Sequence, residues 1–181
     1  QRLAGDQWTL HARGRIIEAL PDPDPLIVPA GRPFDGATAE DVYARASETG
    51  LNYGPSFRLV RSMRYNDQII QAEFGTADLP MGAFTRQHIL SPAGLDAAFH
   101  PLFQVMEDKP GVKRTYLPVR FARLRVFKDN AEITRCLLVL DHSTDASIKI
   151  DLALYDADGE IVAILNGGLF RSVILSRHST D

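Results

Sequence analysis

A carboxyl group and an imidazole stand four residues apart in the apolar stretch Leu95-Asp-Ala-Ala-Phe-His100. Residues with this spacing lie on the same face of an α-helix, one turn apart. Burial disfavours the ionised form of a carboxyl group, so we expect Asp96 to remain protonated near neutral pH in such surroundings. A carboxylic acid in that state can donate its proton to a leaving group. His100 could hydrogen-bond the carboxyl group or hold a substrate oxygen.

A structural role is the alternative for the same pair of residues. An ionised Asp96 would stabilise the first turns of the helix through the helix dipole, and His100 would then be a histidine of the core. The other histidines offer less: His11 lies in a predicted edge strand, His88 precedes the helix and His142 lies in a turn. None of these has metal-ligand spacing to another, and none accompanies a cysteine. On these residues alone, both interpretations stay open.

The element that carries Asp96 and His100 is predicted to be a long buried helix. Ser91-Pro92 favours a helix start, because a serine hydroxyl caps the first turn and proline fits the first helical position. We expect the helix to extend to about Met106, before the break at Lys109-Pro-Gly111. Apolar residues cover much of its circumference, which is typical of a helix inside a core. They are Leu95, Ala98, Phe99, Leu102, Phe103 and Met106.

From Thr38 onward the sequence predicts one further helix and six strands. Thr38 begins the helix, with Asp41 completing an approximate capping box, and Gly50 ends it. The strand pattern covers residues 57–64, 67–74, 115–127, 133–142, 147–155 and 160–174. Turns are expected at Tyr65-Asn66-Asp67 and at Asp156-Ala-Asp-Gly159, and Gly167-Gly168 indicates a bulge. This order predicts an α+β fold in which an antiparallel sheet wraps around the long buried helix.

The first residues of the chain are expected to belong to a preceding unit. The segment Trp8 to Ala19 is interpreted as a strand, and the stretch that follows is too rich in proline and glycine for a regular element. We therefore divide the chain into a closing strand of a preceding unit (1–20), a linker (21–37), the main domain (38–175) and a polar tail (176–181). Because the sequence begins with Gln1, we expect it to come from something longer.

Composition excludes several classes of function. The net charge of −3 and the absence of a basic stripe with interleaved aromatics argue against nucleic-acid binding. No apolar stretch approaches the roughly 20 residues that a membrane helix needs. Cys136 is the only cysteine, so no disulfide can form within the chain, and a reducing, cytoplasmic compartment is the default. Its apolar neighbours indicate a small buried side chain rather than a nucleophile.

Four motifs, taken together, resemble the dehydratase domains of polyketide synthases and related fatty-acid megasynthases. Tyr53-Gly-Pro-Ser-Phe57 resembles the family's YGPxF motif, and Leu90-Ser-Pro-Ala-Gly-Leu-Asp-Ala-Ala-Phe-His100 resembles LxPxxLDxxxQ/H. Tyr116-Leu-Pro-Val119 is similar to the strand that follows the helix. The segment from Trp8 to Gly14 is similar to the strand that closes the first half of such domains. The resemblance covers nearly the whole chain.

The resemblance implies a double hot-dog fold, two units fused side by side with an active-site tunnel at their junction. A histidine of the first unit would remove the α-proton of a 3-hydroxyacyl thioester, and Asp96 of the second would protonate the departing hydroxyl group. His100 would support Asp96. Substrate contacts would come from Tyr53, Gly54, Pro55, Phe57, Leu95 and Phe99. The substrate would arrive on the phosphopantetheine arm of an acyl carrier protein, with no cofactor required.

Two departures from the family pattern define what the chain is expected to be. The HxxxGxxxxP motif of the catalytic base is absent, since the glycine after His11 falls three positions later rather than four. Ser91 stands where many members carry a histidine. We therefore interpret the chain as the C-terminal hot-dog half, inactive without the N-terminal half that supplies the histidine.

Other roles of the same fold remain alternatives. A repurposed relative would be a double-bond isomerase, a pyran or furan cyclase, or a chain-branching domain. A non-catalytic module would bind an acyl chain or mediate dimerisation. The partners expected from the resemblance are the acyl carrier protein, the N-terminal half, neighbouring synthase domains and a second copy in a homodimer.

Overall fold

The computed structural model describes residues 10–17, 26, 33–75, 88–105 and 114–174. The elements begin with strand β1 (Asp35–Thr38), helix α1 (Ala39–Glu48), a 3-10 turn (Pro55–Phe57) and the hairpin of β2 (Val60–Tyr65) and β3 (Ile69–Phe74). Helix α2 (Pro92–Ala97) and a 3-10 helix (His100–Val105) follow. The last four strands are β4 (Thr115–Val126), β5 (Arg135–Ser143), β6 (Ser147–Tyr155) and β7 (Ile161–Val173).

The strands within the described residues form one antiparallel sheet of seven strands in the order β1-β2-β3-β5-β6-β7-β4. Apolar side chains from the sheet, from α1 and from the segment 92–105 pack into one core. The largest fully buried members include Phe170, Leu102, Leu138 and Ile150. This arrangement confirms the predicted α+β class, with helical segments packed against an antiparallel sheet.

The long buried helix predicted for residues 91–106 is wrong as a continuous helix. Its start is confirmed, because the Ser91 hydroxyl accepts a hydrogen bond from the Gly94 N–H at 3.2 Å and Pro92 occupies the first helical position. The α-helix ends at Ala97, and a 3-10 helix takes over at His100. Pro101 explains the change, because proline has no N–H for the carbonyl group four residues earlier and its ring clashes with that carbonyl. The apolar residues Leu102 and Phe103 are nevertheless buried as expected.

Helix α1 follows its predicted signals closely. Thr38 and Asp41 form the reciprocal capping box, with the Thr38 N–H donating to the Asp41 carboxylate at 2.8 Å and the Asp41 N–H to the Thr38 hydroxyl at 3.3 Å. Gly50 adopts a positive φ of 95° just after the helix, which confirms its role as the terminating glycine. Strand β1 was not predicted, since Asp35–Thr38 overlaps the segment interpreted as linker.

The remaining strands lie where the sequence places them, within a few residues. The first begins at Val60 rather than at 57, because the 3-10 turn Pro55–Phe57 precedes it. The Asn66 side chain closes the first hairpin by accepting the N–H groups of residues 68 and 69. The predicted bulge is confirmed at Gly167, which has a φ of 61° where the β6–β7 register shifts. A Cβ there would lie 2.8 Å from that of Ala122, so a side chain would be both strained and crowded.

The strand predicted for Trp8 to Ala19 is not formed over the part that the structure describes. Residues 10–17 are exposed and have no regular secondary structure. The rest of that segment, most of the predicted linker, Met106 and the polar tail lie outside the described residues. The proposed division at residues 20, 37 and 175 stays a prediction.

Candidate active site

His100 is the buried centre of the candidate site. Its side chain is 1% exposed, yet both ring nitrogens face polar groups. Nε2 lies 3.1 Å from Oδ2 of Asp96, and Nδ1 lies 3.3 Å from the hydroxyl oxygen of Tyr43. The ring also packs against Tyr53, with the two ring centroids 4.0 Å apart, and against Phe103. Partners from α1, from α2 and from the 53–57 turn, which is the 3-10 turn together with the two residues before it, therefore fix this imidazole from several sides.

Asp96 occupies a different environment from the one its sequence predicts. Its side chain is 43% exposed, so the expectation that the carboxyl group is buried among apolar neighbours is wrong for this chain. The reason lies in the shortness of α2. The helix ends one residue after Asp96, so no further α-helical turn covers its carboxyl group, and Leu102 and Phe103 are buried from a separate 3-10 helix. The predicted pairing with His100 one turn away is present.

Tyr43 is a member of the site that sequence reasoning missed. A tyrosine that is buried in a helix needs a hydrogen-bond partner for its hydroxyl group, and this is the signal that the sequence offers for it. The hydroxyl oxygen accepts the Val60 N–H at 3.0 Å, and the hydroxyl group is within donating distance of the Phe57 carbonyl oxygen, at 3.5 Å. Burial raises the pKa of Tyr43 to about 12, with the Arg58 guanidinium, 4.7 Å from the ring centroid, acting in the opposite direction.

The turn that carries the Tyr-Gly-Pro sequence lies directly beside His100. The ring of Tyr53 contacts the imidazole and meets Tyr43 edge-on at 6.1 Å. Burial, together with the charge of Asp96, raises the pKa of the Tyr53 hydroxyl above its ordinary value. Gly54 and Pro55 are exposed, and a Cβ on Gly54 would meet no described atom within 4 Å. Space is therefore open in front of this turn.

The remaining predicted contact residues are apolar and lie at the edge of the core. Phe57, Leu95 and Phe99 are half-buried and pack against the core. Phe99 lies edge-on to Phe170 with ring centroids 5.1 Å apart, and stacks on Phe121 of β4 at 5.7 Å. The structure thus places His100 in contact with both Asp96 and Tyr53, whereas Phe99 lies against β4 and β7.

Other candidate residues take no part in this region. The side chains of His11, His88 and His142 are exposed. Cys136 is 3% exposed and burial raises the pKa of its thiol to about 12, which confirms the interpretation of a buried, unreactive side chain. Among the residues that the structure describes, no three His, Cys, Asp or Glu side chains are grouped so as to hold a metal ion. No helix in the described ranges is both long and apolar enough to cross a membrane.

A groove of about 560 Å³ lies elsewhere, on the sheet around β2, β3 and β5. Its lining includes Arg64, Glu73, Arg135 and Tyr155, and neither Asp96 nor His100. The guanidinium of Arg64 donates to Gln71 at 2.6 Å, and Arg135 lies over the Tyr155 ring. The polar groups named here thus have partners within the chain. The volume of the groove alone does not identify it as a functional site.

The family of the chain follows from comparison with known proteins. A family model described as the polyketide synthase dehydratase N-terminal domain matches residues 21–177. The match covers most of the chain, which therefore belongs to the polyketide synthase dehydratase family.

Curated relatives are far longer than this chain. A phenolphthiocerol/phthiocerol polyketide synthase of Mycobacterium tuberculosis is 28% identical over 180 residues, which is 95% of this chain and 10% of that protein. Polyketide synthase GfsB of Streptomyces halstedii is 30% identical over 94% of this chain and 3% of its own length. The chain thus spans a tenth or less of these multidomain relatives.

Solved structures show the same fold. The dehydratase domain of a trans-AT polyketide synthase from Brevibacillus brevis aligns with a TM-score of 0.68 and 20% identity, over 78% of this chain and 49% of that domain. The dehydratase domain of PpsC from Mycobacterium tuberculosis, solved with C12:1-CoA, aligns with a TM-score of 0.64 and 21% identity, over 84% and 55%. The hot-dog fold is confirmed, and the chain covers about half of each solved domain.

Proposed function

We propose that this chain supplies the acid side of a dehydratase that removes water from a 3-hydroxyacyl thioester carried on the phosphopantetheine of an acyl carrier protein. The observation that carries the proposal is the position of Asp96. One carboxylate oxygen is held 3.1 Å from the buried His100, while the side chain stays 43% exposed beside the open Tyr53-Gly54-Pro55 turn. A carboxyl group that is oriented by a buried histidine and is also accessible to a ligand suits proton transfer to that ligand.

The proposed reaction needs one acid and one base. A histidine of the first hot-dog unit takes the α-proton, the carbon–oxygen bond breaks, and the hydroxyl group leaves as water with the proton of Asp96. The product is the α,β-unsaturated thioester, and no cofactor takes part. Since this chain leaves Asp96 half-exposed, we infer that the bound acyl chain and the first unit complete the enclosure of this side chain.

We further propose that the chain is the C-terminal hot-dog unit. The matching family model is described as the N-terminal domain of the dehydratase, so the assignment depends on the motifs. The sequence carries the aspartate-containing motif at Asp96 and lacks the HxxxGxxxxP motif of the base. The sequence immediately before Gln1 in the parent synthase tests this assignment. A histidine motif there supports it, and a second aspartate motif of the same type would contradict it.

Strand β4 is the surface on which we place the first unit. Within the described sheet it pairs with β7 only and forms one edge. The strand and the residue directly after it expose large apolar side chains, which a partner would be expected to cover: Val119, Phe121, Leu124 and Phe127. Because Phe121 stacks on Phe99, a unit packed there would also border the region of Asp96. Neighbouring synthase domains, a second copy and a cytoplasmic location remain part of the same proposal.

The deciding experiment replaces Asp96 in a protein that contains the complete dehydratase region. Asp96→Asn keeps the shape of the side chain but removes the transferable proton. We expect dehydration of a 3-hydroxyacyl carrier protein to fall by about 10²- to 10⁴-fold. Asp129→Asn, an equivalent change at an exposed turn after β4, serves as the control and should leave the rate unchanged.

The possible outcomes separate the proposed function from its alternatives. An unsaturated thioester that disappears with Asp96→Asn supports the dehydratase. Unchanged activity in Asp96→Asn would contradict the acid role and favour a non-catalytic module. A cyclic ether or a shifted double bond as the main product of the unaltered protein would instead indicate a cyclase or an isomerase. The 181-residue chain alone is expected to give no product.

A further inference from the structure

The proton on the ring of His100 decides where the proton of Asp96 can sit. If Nε2 carries the imidazole proton, it donates to Oδ2 of Asp96, and a protonated carboxyl group then favours its own proton on Oδ1, because the carbonyl oxygen is the better acceptor. If Nε2 is unprotonated, it accepts the carboxyl proton instead and keeps it from a substrate. The same 3.1 Å contact therefore supports or prevents acid catalysis, depending on the tautomer.

The contacts of Tyr43 favour one of these two forms. The Val60 N–H already donates to the Tyr43 oxygen at 3.0 Å, so the hydroxyl hydrogen is directed elsewhere. It can reach Nδ1 of His100 at 3.3 Å or the Phe57 carbonyl oxygen at 3.5 Å, and the imidazole nitrogen is the nearer acceptor. Burial raises the pKa of Tyr43 to about 12, so the hydroxyl group keeps this hydrogen near neutral pH.

We propose that Tyr43 is a positioning residue that donates to Nδ1 of His100 and thereby holds the imidazole with its proton on Nε2, directed at Asp96. Tyr43 does not touch the substrate. It sets the direction of a hydrogen-bond chain from the Val60 N–H through Tyr43 and His100 to Oδ2, which leaves Oδ1 as the oxygen that transfers a proton. The tautomer can be measured in this chain by itself. Its effect on catalysis rests on the proposed function of Asp96 as the acid.

Nitrogen-15 NMR of the full 181-residue chain, labelled in its histidine rings, measures the tautomer directly. We expect the His100 resonances, assigned by their loss in His100→Gln, to show a protonated Nε2 and an unprotonated, hydrogen-bonded Nδ1. Tyr43→Phe should shift the Nδ1 resonance away from its hydrogen-bonded position. Tyr53→Phe removes a hydroxyl group from the other ring beside His100 and should leave that resonance in place. A protonated Nδ1 in the unaltered chain would overturn the proposal.

A second measurement tests the direction of these hydrogen bonds through the activity of a protein that contains the complete dehydratase region. A glutamine at position 100 offers an N–H to Asp96 and an oxygen to Tyr43, the same pattern as the proposed tautomer. We expect His100→Gln to retain most of kcat and His100→Leu to lose it. An equal loss in both variants would contradict the positioning role. If instead Asp96→Asn is fully active while the NMR result holds, the proposed function fails and the tautomer assignment stands.

Discussion

His100 and Asp96 are four residues apart, yet they belong to two differently built sides of the site. On the interior side, His100 and Tyr43 are buried and have their polar atoms near groups of the same chain. On the rim, the Asp96 side chain is 43% exposed and Gly54 has no described atom near the position of a Cβ. On the interior side, the polar groups thus have hydrogen-bond partners within the chain. On the rim, polar groups and open space remain accessible to a ligand or to another unit.

The difference indicates that the interior side determines stability and the rim determines activity. A buried polar group that loses its partner destabilises the fold, because it cannot be rehydrated. A half-exposed group exchanges its partner for water at little cost. Changes on the interior side should therefore lower stability, and changes on the rim should lower activity with a smaller effect on stability.

The largest contrast is expected between alanine substitutions of the two paired residues. His100→Ala removes a fully buried ring that packs on Tyr53 and Phe103, so we expect the free energy of unfolding to fall by about 3 kcal/mol. Asp96→Ala should lower it by only about 1 kcal/mol, because the side chain is 43% exposed and water can take its place beside His100. Urea denaturation of both variants measures the difference. Equal losses would show that the two sides are not distinct.

Tyr43→Phe is expected to have the next largest effect on stability. The change removes the acceptor of the Val60 N–H and leaves a buried amide without its partner, which costs about 2 kcal/mol. Tyr53→Phe is the matched control, since Tyr53 contacts His100 through its ring, and we expect a cost below about 1 kcal/mol. If denaturation showed Tyr53→Phe to be the more costly change, the interior side would have been assigned incorrectly.

The response to alkaline pH tests how well the interior excludes water, away from the site itself. Burial raises the pKa of the Cys136 thiol from 9.0 to about 12, so ionisation above pH 9 favours the unfolded chain. Its contribution to stability is complete below pH 9 and is lost as the pH rises towards 12. By about pH 10 the loss from this group should be about 1.4 kcal/mol. Urea unfolding of Cys136→Ala between about pH 8 and pH 10 should show a smaller decrease than that of the unaltered chain, and identical slopes would contradict the assignment.

The smallest effect on stability is expected at Gly54. Its φ of −74° suits any residue and a Cβ would be unobstructed, so Gly54→Ala should change the free energy of unfolding by less than about 1 kcal/mol. If the open space before this turn receives the substrate, kcat/KM of a complete dehydratase should nevertheless fall. Gly36→Ala, an exposed glycine of β1 with room for a Cβ, is the control and should leave kcat/KM unchanged. A fully active Gly54→Ala would remove this turn from the substrate region.

Much of the fold was predictable because its signals are local. The capping box at Thr38 and the Ser91-Pro92 helix start depend on neighbours within three residues, and both are present. The prediction of a continuous helix over 91–106 was wrong because the apolar pattern continues through Pro101, whose missing N–H ends the α-helical hydrogen bonding. Strand β1 was not predicted because its four residues of mixed polarity carry no local strand signal and form a strand only by pairing with β2.

The sequence by itself determined the family, six of the seven strands of the described sheet and the spacing that pairs Asp96 with His100, because motifs and hydrophobic periodicity can be recognised in the amino-acid order alone. Only the tertiary structure decided which of the two is buried, because exposure depends on where α2 ends and what packs around it. It alone also brought Tyr43 against His100, 57 residues apart in the chain, since no local pattern encodes a contact between a helix and a distant turn.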